Sequence, residues 1–235
     1  MTRIVLVFAA SVMMLSCGVL KNSPKYKMTD GVYNTKIGEQ KKQVYVENAD
    51  DSMLVYRLEP GWKTNSYSGK AMKPTIYPRG VDKEIAASRY WKSSFDLDIL
   101  TTPFKYRPST SSFTPQLSNH LNGALYVGYR NDTYELSYKS NPIGKLHQRV
   151  THLGFSAGLA TGIGVTPLNP WVTDNNINVE YDGFIWSKAV CILMAVEKLN
   201  FGLALGMDHL LDSNKKYWIY QGKPYLGLTV GLNLN

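Results

Sequence analysis

The end of the chain alternates strictly: Leu226, Leu228, Val230, Leu232 and Leu234 interleave with Gly227, Thr229, Gly231, Asn233 and Asn235. Phe201, Leu203, Leu205 and Met207 alternate in the same way with Gly202, Ala204, Gly206 and Asp208, and a third run does so from Gly154 to Gly164. A period of two held over that length predicts β-strands with two chemically different faces. A sheet exposed to water would carry Lys, Glu, Asp and Arg on its outer face. Here the second face is mostly Gly, Ala, Ser and Thr. Small residues suit the crowded interior of a closed sheet, and the bulky face then suits lipid.

Strand candidates fall at about Phe95–Tyr106, Leu121–Arg130, Thr133–Lys139, Thr151–Val165, Tyr181–Glu197, Leu199–Leu211 and Tyr217–Asn235, the last with room for a turn at Gln221-Gly222-Lys223-Pro224. Run lengths near ten match the roughly 9–11 residues of a tilted membrane strand. Because small outer-membrane barrels close with even strand numbers, the pattern predicts an all-β fold: an antiparallel membrane β-barrel of about eight strands over residues 93–235. Arg130-Asn131-Asp132 and Lys198-Leu199-Asn200 read as tight turns, Ser140–Val150 and Pro167–Val179 as longer loops. Tyr90, Trp91, Trp171, Trp186, Trp218, Tyr220 and Tyr225 are candidates for interfacial girdles. Lys188 shares the parity of Phe184, Trp186 and Val190, so either it snorkels at a membrane boundary or a bulge shifts the strand.

Before the barrel, residues 43–92 predict a small β-rich region. It opens with a hairpin formed by Gln43–Glu47 and Met53–Leu58, and Asp82–Trp91 is a candidate short helix. Residues 17–42 lack sustained periodicity and read as a flexible tether. Residues 1–16 have the three-part form of an export signal, with Arg3, the uncharged run Ile4–Leu15 and the small residue Ser16. That run is shorter than the roughly 20 residues a membrane helix needs. Met14-Leu15-Ser16-Cys17-Gly18 resembles the lipobox of bacterial lipoproteins, which implies lipidation at Cys17. Met14 stands where that motif more often has Leu.

The 235-residue chain carries a net charge of +8, concentrated between Lys21 and Lys92, where Lys and Arg outnumber Asp and Glu nearly two to one. With an export signal in front, this excess suggests contact with anionic headgroups or lipopolysaccharide rather than nucleic acid. If Cys17 is acylated, Cys191 has no partner within the chain; in Ala189–Met194 it reads as a small buried hydrophobe.

Candidate chemistry is sparse. The glycines of Gly154–Gly164 lack the spacing of a phosphate loop. Asp174, Asn176 and Asn178 alternate as in a calcium loop, but Val179 and Ile185 occupy positions that need Gly and Glu, so neither a metal nor another cofactor is expected. His152 and Ser156 share a face yet lie about 13 Å apart on a straight strand, too far for a nucleophile and its base. His120, His147 and His209 fall near strand ends or in a loop. The stronger expectation is an interior polar network of Tyr126, Arg130 and Asp208. Arg130 pairs with Asp208 in this reading, and Glu135 is the substitute partner.

Thr102–Pro108, Leu125–Arg130, Glu180–Gly183, Trp218–Pro224 and Gly231–Asn235 together resemble envelope lipoproteins of Bacteroidetes-type bacteria with a small outer-membrane β-barrel. The resemblance implies an outer-membrane location and a lipid partner, and carries no catalytic residues. Outer-surface lipoproteins of that group often carry acidic residues after the cysteine, where Gly18-Val19-Leu20-Lys21 follows here. The sequence thus predicts a non-enzymatic envelope protein with a structural, adhesive or small-solute role. The alternatives are a tethered soluble ligand-binding barrel and an outer-membrane lipid hydrolase or acyltransferase.

Overall fold

The computed structural model describes residues 27–58, 73–82, 85–109, 113–142, 144–196 and 199–233. The export signal, Cys17 and the first part of the expected tether lie outside them. The described chain is all-β, with twelve strands in one antiparallel sheet. They are β1 (Gly31–Ile37), β2 (Gln40–Asn48), β3 (Ser52–Arg57), β4 (Thr75–Pro78), β5 (Gly80–Val81), β6 (Ser88–Arg107), β7 (Gln116–Ser118), β8 (Asn122–Ser140), β9 (Leu146–Leu168), β10 (Tyr181–Val196), β11 (Leu199–Leu210) and β12 (Pro224–Asn233). The sheet order is β12-β11-β10-β9-β8-β6-β1-β2-β3-β4; β7 pairs with β6, β5 with β9, and β12 also with β6.

The chain divides into two compact units that do not follow chain order. A C-terminal unit holds Phe95–Arg130 and Phe155–Asn235, and an N-terminal unit holds Lys25–Ser94 and Asn131–Gly154. The long strands β6, β8 and β9 each contribute a part to both units.

In the C-terminal unit the β12–β6 pairing, Leu226 opposite Tyr106 through Asn233 opposite Asp98, closes a ring of β6, β8, β9, β10, β11 and β12. The bulky face points out: Leu203, Leu228 and Val230 are 55, 45 and 42 % exposed. The small-residue face points in, and the curvature of the ring requires it. A Cβ at Gly158 would lie 2.2 Å from the Val127 carbonyl oxygen, and one at Gly162 2.1 Å from that of Gly123. The inner face packs Leu100, Tyr126, Ala160, Cys191, Leu193 and Ala204 into one cluster.

In the N-terminal unit the large apolar side chains point inward. Tyr33, Val44, Val46, Met53, Val55, Tyr90, Tyr134 and Leu136 form its core, whereas Lys41, Glu47, Glu135, Lys139 and Arg149 are exposed or half-exposed. β4 continues through Arg79 into β5, which pairs with β9 at Gly80–His147 and Val81–Leu146. The Arg79 N–H donates to the Asp51 carbonyl, and the Arg79 carbonyl accepts from the Gln148 N–H.

Several expectations require correction. The ring has six strands rather than eight, because Leu121–Arg130 and Thr133–Lys139 are one strand, β8, and Tyr217–Gly222 forms turns before β12. Asn131 and Asp132, read as a turn, instead bond sideways: the Asn131 amide donates to the Ser93 hydroxyl and Asp132 takes His152. The segment 17–42 is not a tether throughout, since β1 starts at Gly31 and its register with β2 runs unbroken from Gly31–Val46 to Ile37–Gln40. Of the candidate helix Asp82–Trp91, the described residues 82 and 85–91 are not helical, and β6 begins at Ser88. Tyr90, Trp218, Tyr220 and Tyr225 are buried rather than set in an exposed girdle, whereas Trp171 and Trp186 are exposed.

Candidate functional site

The densest polar chemistry lies inside the C-terminal unit, around Asp208. Its carboxylate takes the Lys105 ammonium at 2.9 and 3.0 Å and the Arg107 guanidinium at 2.6 Å, and it accepts from the Ser187 hydroxyl, which also receives Lys105 at 3.1 Å. All four residues are buried. Aromatic rings complete the shell. Lys105 Nζ is 4.4 Å from the Tyr225 ring centre, and the Arg107 guanidinium lies 5.3 and 4.8 Å from those of Trp218 and Tyr220. Such cation–ring contacts favour a desolvated cation by about 2 kcal/mol or more. They explain why Trp218 and Tyr220 turn inward.

A β-bulge builds this cluster. Along β6 the inward residues are Asp96, Asp98, Leu100 and Thr102, all even, and then Lys105 and Arg107, both odd. The register slips where Leu228 faces Phe104 but Val230 faces Thr101. The extra residue is at Thr102-Pro103, and proline within a sheet is confined to edges and bulges. Asn122 holds the irregular backbone. Its Oδ1 accepts from the Thr102 N–H at 2.7 Å, and its Nδ2 donates to the Thr102 carbonyl at 2.7 Å and to that of His120 at 2.8 Å.

Arg130 and Asp208 do not pair. Asp208 belongs to Lys105 and Arg107, and Arg130 lies 3.5 Å from Asp96. Nearby in chain register, the Asn200 amide donates to Asp98 at 2.7 Å. Tyr126 is fully buried, its ring drawn over Gly128 and its hydroxyl 2.6 Å from that of Ser156. Glu135 is not interior: it is exposed on β8 of the N-terminal unit and meets Arg89 at 3.6 Å. Among the described residues, the buried charges of the C-terminal unit comprise three carboxylates, Asp96, Asp98 and Asp208, and three cations, Lys105, Arg107 and Arg130. They balance, as a low-dielectric interior demands.

Between the charged groups, Leu100, Ala160, Ala189 and Cys191 help to line a cavity of about 10 Å³. That volume admits one water at most. The arrangement can therefore fix strand register and neutralise charge, and this cavity is too small for a substrate. His152 and Ser156, weighed above as a base and a nucleophile, each have another partner. The Ser156 hydroxyl is engaged by Tyr126, while in the N-terminal unit His152 Nε2 contacts Asp132 at 2.7 Å, with the Tyr134 ring 5.0 Å away. In the same unit Tyr90 is buried against Tyr77, and burial pushes its phenol above the ordinary value. Asp174 and Asn175 adopt left-handed backbone in a turn closed by the Asn176 amide on the Thr173 carbonyl. No group of three metal-ligating side chains occurs among the described residues. Cys191 is buried and free.

Lys105 and Arg107 escape a sequence reading because strict alternation from Phe95 turns both outward. The available signal was Pro103 in the middle of a strand-like run. No protein-family profile, curated protein or solved structure matches the chain.

Proposed function

We propose that this is a lipid-anchored protein of a bacterial outer membrane whose C-terminal unit is a small membrane-embedded β-barrel, with a non-enzymatic structural or adhesive role. The observation that carries the reading is the inverted polarity of that unit, in which large apolar side chains face outward and paired charges lie within. On β11 the outward run Leu199, Phe201, Leu203, Leu205 and Met207 is exposed. Eight residue steps at about 3.4 Å give about 27 Å along the strand, or about 20 Å of height at the roughly 35–45° tilt of outer-membrane strands, most of their roughly 25 Å apolar band. The nearly filled interior argues against an open pore.

Lys188 fits this reading. The β10–β11 register is continuous from Ile185–Leu210 to Val196–Leu199, so no bulge turns it inward. It sits opposite Met207, at the end of the exposed run on β11, with its ammonium 3.8 Å from the Trp186 ring centre. From there a lysine reaches the headgroups.

The test is extraction. Membranes carrying the wild-type chain or Cys17→Ala are washed with carbonate and then with urea. An integral barrel stays in the pellet in both until detergent is added. Release of Cys17→Ala by carbonate would replace this reading with that of a tethered soluble protein, which the polar exterior of the N-terminal unit favours.

A further inference from the structure

Cations on the outer face of the N-terminal unit stand in register. On β1 the buried Tyr33 and Thr35 turn Asn34 and Lys36 outward, and on β2 the buried Val44 and Val46 do the same for Lys41 and Gln43. Asn34 faces Gln43 and Lys36 faces Lys41. On the other side of β1, Asn34 faces Trp91 and Thr35 faces Tyr90, so one further step sets Arg89 beside Lys36. Lys41, Lys36 and Arg89 thus form a row across β2, β1 and β6 at the strand spacing of about 4.8 Å. Gln43, Asn34 and Trp91 form a second row beside it.

The cation row is unfavourable on its own, because like charges directly opposite one another destabilise a sheet. Among the described residues one ion pair reaches it, Arg89 with Glu135 at 3.6 Å. Lys41 Nζ instead lies 5.5 Å from the Trp91 ring centre, which draws it across β1 and towards the other two cations. Side chains that gather positive charge in this way match an anion that joins them. The second row adds a different chemistry. Each carboxamide offers donors and an acceptor together, and neither the Asn34 nor the Gln43 side chain is engaged in a hydrogen bond among the described residues.

We propose that this face binds an acidic polysaccharide of the polyuronate kind, with its carboxylates along Lys41, Lys36 and Arg89 and its ring hydroxyls on Gln43 and Asn34. Such a polymer repeats one carboxylate per sugar, at an interval close to the spacing of the row. A charge row alone would fit any polyanion; the carboxamides beside it select one that carries hydroxyls. The inference rests on the adhesive role proposed above and supplies its partner. The face belongs to the N-terminal unit alone, so the outcome of membrane extraction does not bear on it.

The full chain in a maltoside detergent is titrated calorimetrically, at physiological ionic strength, with three probes of equal length: oligogalacturonate, its neutral methyl ester and oligoglutamate. Exposed ion pairs together with hydrogen bonds to the carboxamides support a preference of about tenfold for oligogalacturonate over either of the others. Lys36→Gln and Lys41→Gln should each weaken it about fivefold, and Lys145→Gln, on the same unit but outside the row, should leave it unchanged. Gln43→Ala should weaken oligogalacturonate without affecting oligoglutamate. All four positions are exposed, and because Lys36→Gln relieves a repulsion, its melting temperature should match or exceed that of the wild type. Oligoglutamate bound as tightly would mean that the face reads charge alone, and the methyl ester bound as tightly that it ignores charge. Either result, no binding of oligogalacturonate, or row variants indistinguishable from Lys145→Gln would overturn the proposal.

Discussion

The two units use the same strands with opposite polarity. Along β8 one outward face reads Leu125, Val127 and Tyr129 in the C-terminal unit, then Asn131, Thr133, Glu135, Ser137 and Lys139 in the N-terminal unit. The inward face changes with it, from Ala124, Tyr126, Gly128 and Arg130 to Asp132, Tyr134, Leu136 and Tyr138. No break in the strand accompanies the change. Under the proposed membrane reading, what each unit buries reflects the medium its exterior would meet, because hydrogen-bonded backbone is common to both and the side chains alone differ. The N-terminal unit is stabilised by burying apolar area, at roughly 25 cal/mol per Å². The C-terminal unit leaves much of its apolar area exposed and instead buries paired charge.

That contrast can be broken most severely at Asp208. Asp208→Ala strands Lys105 and Arg107 in the interior, and loss of one partner of a buried pair is worth about 3–5 kcal/mol. The band that resists heat in detergent electrophoresis should melt well below the wild-type temperature. An unchanged transition would mean that the ion cluster does not hold the C-terminal unit together.

Next comes a matched pair of outward substitutions. Leu228→Arg should lower the yield of membrane-integrated protein, consistent with about 2–4 kcal/mol for a midplane arginine. Thr151→Arg, also outward but on the N-terminal unit, should change stability by no more than about 0.5 kcal/mol. Equal tolerance at both positions, measured by protease resistance in native membranes, would erase the distinction between the units.

A smaller effect is expected at Asn122→Ala. It removes both hydrogen bonds that hold the Thr102 backbone at the bulge, at about 1–3 kcal/mol. Chemical denaturation should show the loss, and Asn122→Asp should recover part of it by accepting from the Thr102 N–H. The smallest effect belongs to Glu135→Ala. The exposed Arg89–Glu135 contact is worth at most about 1 kcal/mol, so a melting shift near zero is the expected reading, and a large one would give Glu135 a role its exposure denies.

The alternation at Phe201–Asp208 and Leu226–Asn235 was sufficient to read strands, their two faces and which face is crowded. Gly158 and Gly162 show why: the close approach that excludes a Cβ is written directly as glycine. Strand number was harder to read. Asn131 and Asp132 have turn chemistry, and only the facing side chains, Ser93 and His152, show that these groups are satisfied across the sheet. The N-terminal segment Gly31–Lys42 was opaque for a related reason. Its Thr35 and Tyr33 are buried by partners distant in sequence, so the segment itself shows no sustained period.

By itself, then, the sequence determined an all-β chain with apolar side chains on one strand face and small ones on the other, because both patterns are local and repeat every second residue. Tertiary structure alone decided that β12 returns to β6, that Pro103 shifts the parity of its strand, and that Asp208 meets Lys105 and Arg107 rather than Arg130. Each of these depends on register between strands that can lie more than a hundred residues apart, and alternation along one strand carries no information about the register of the next.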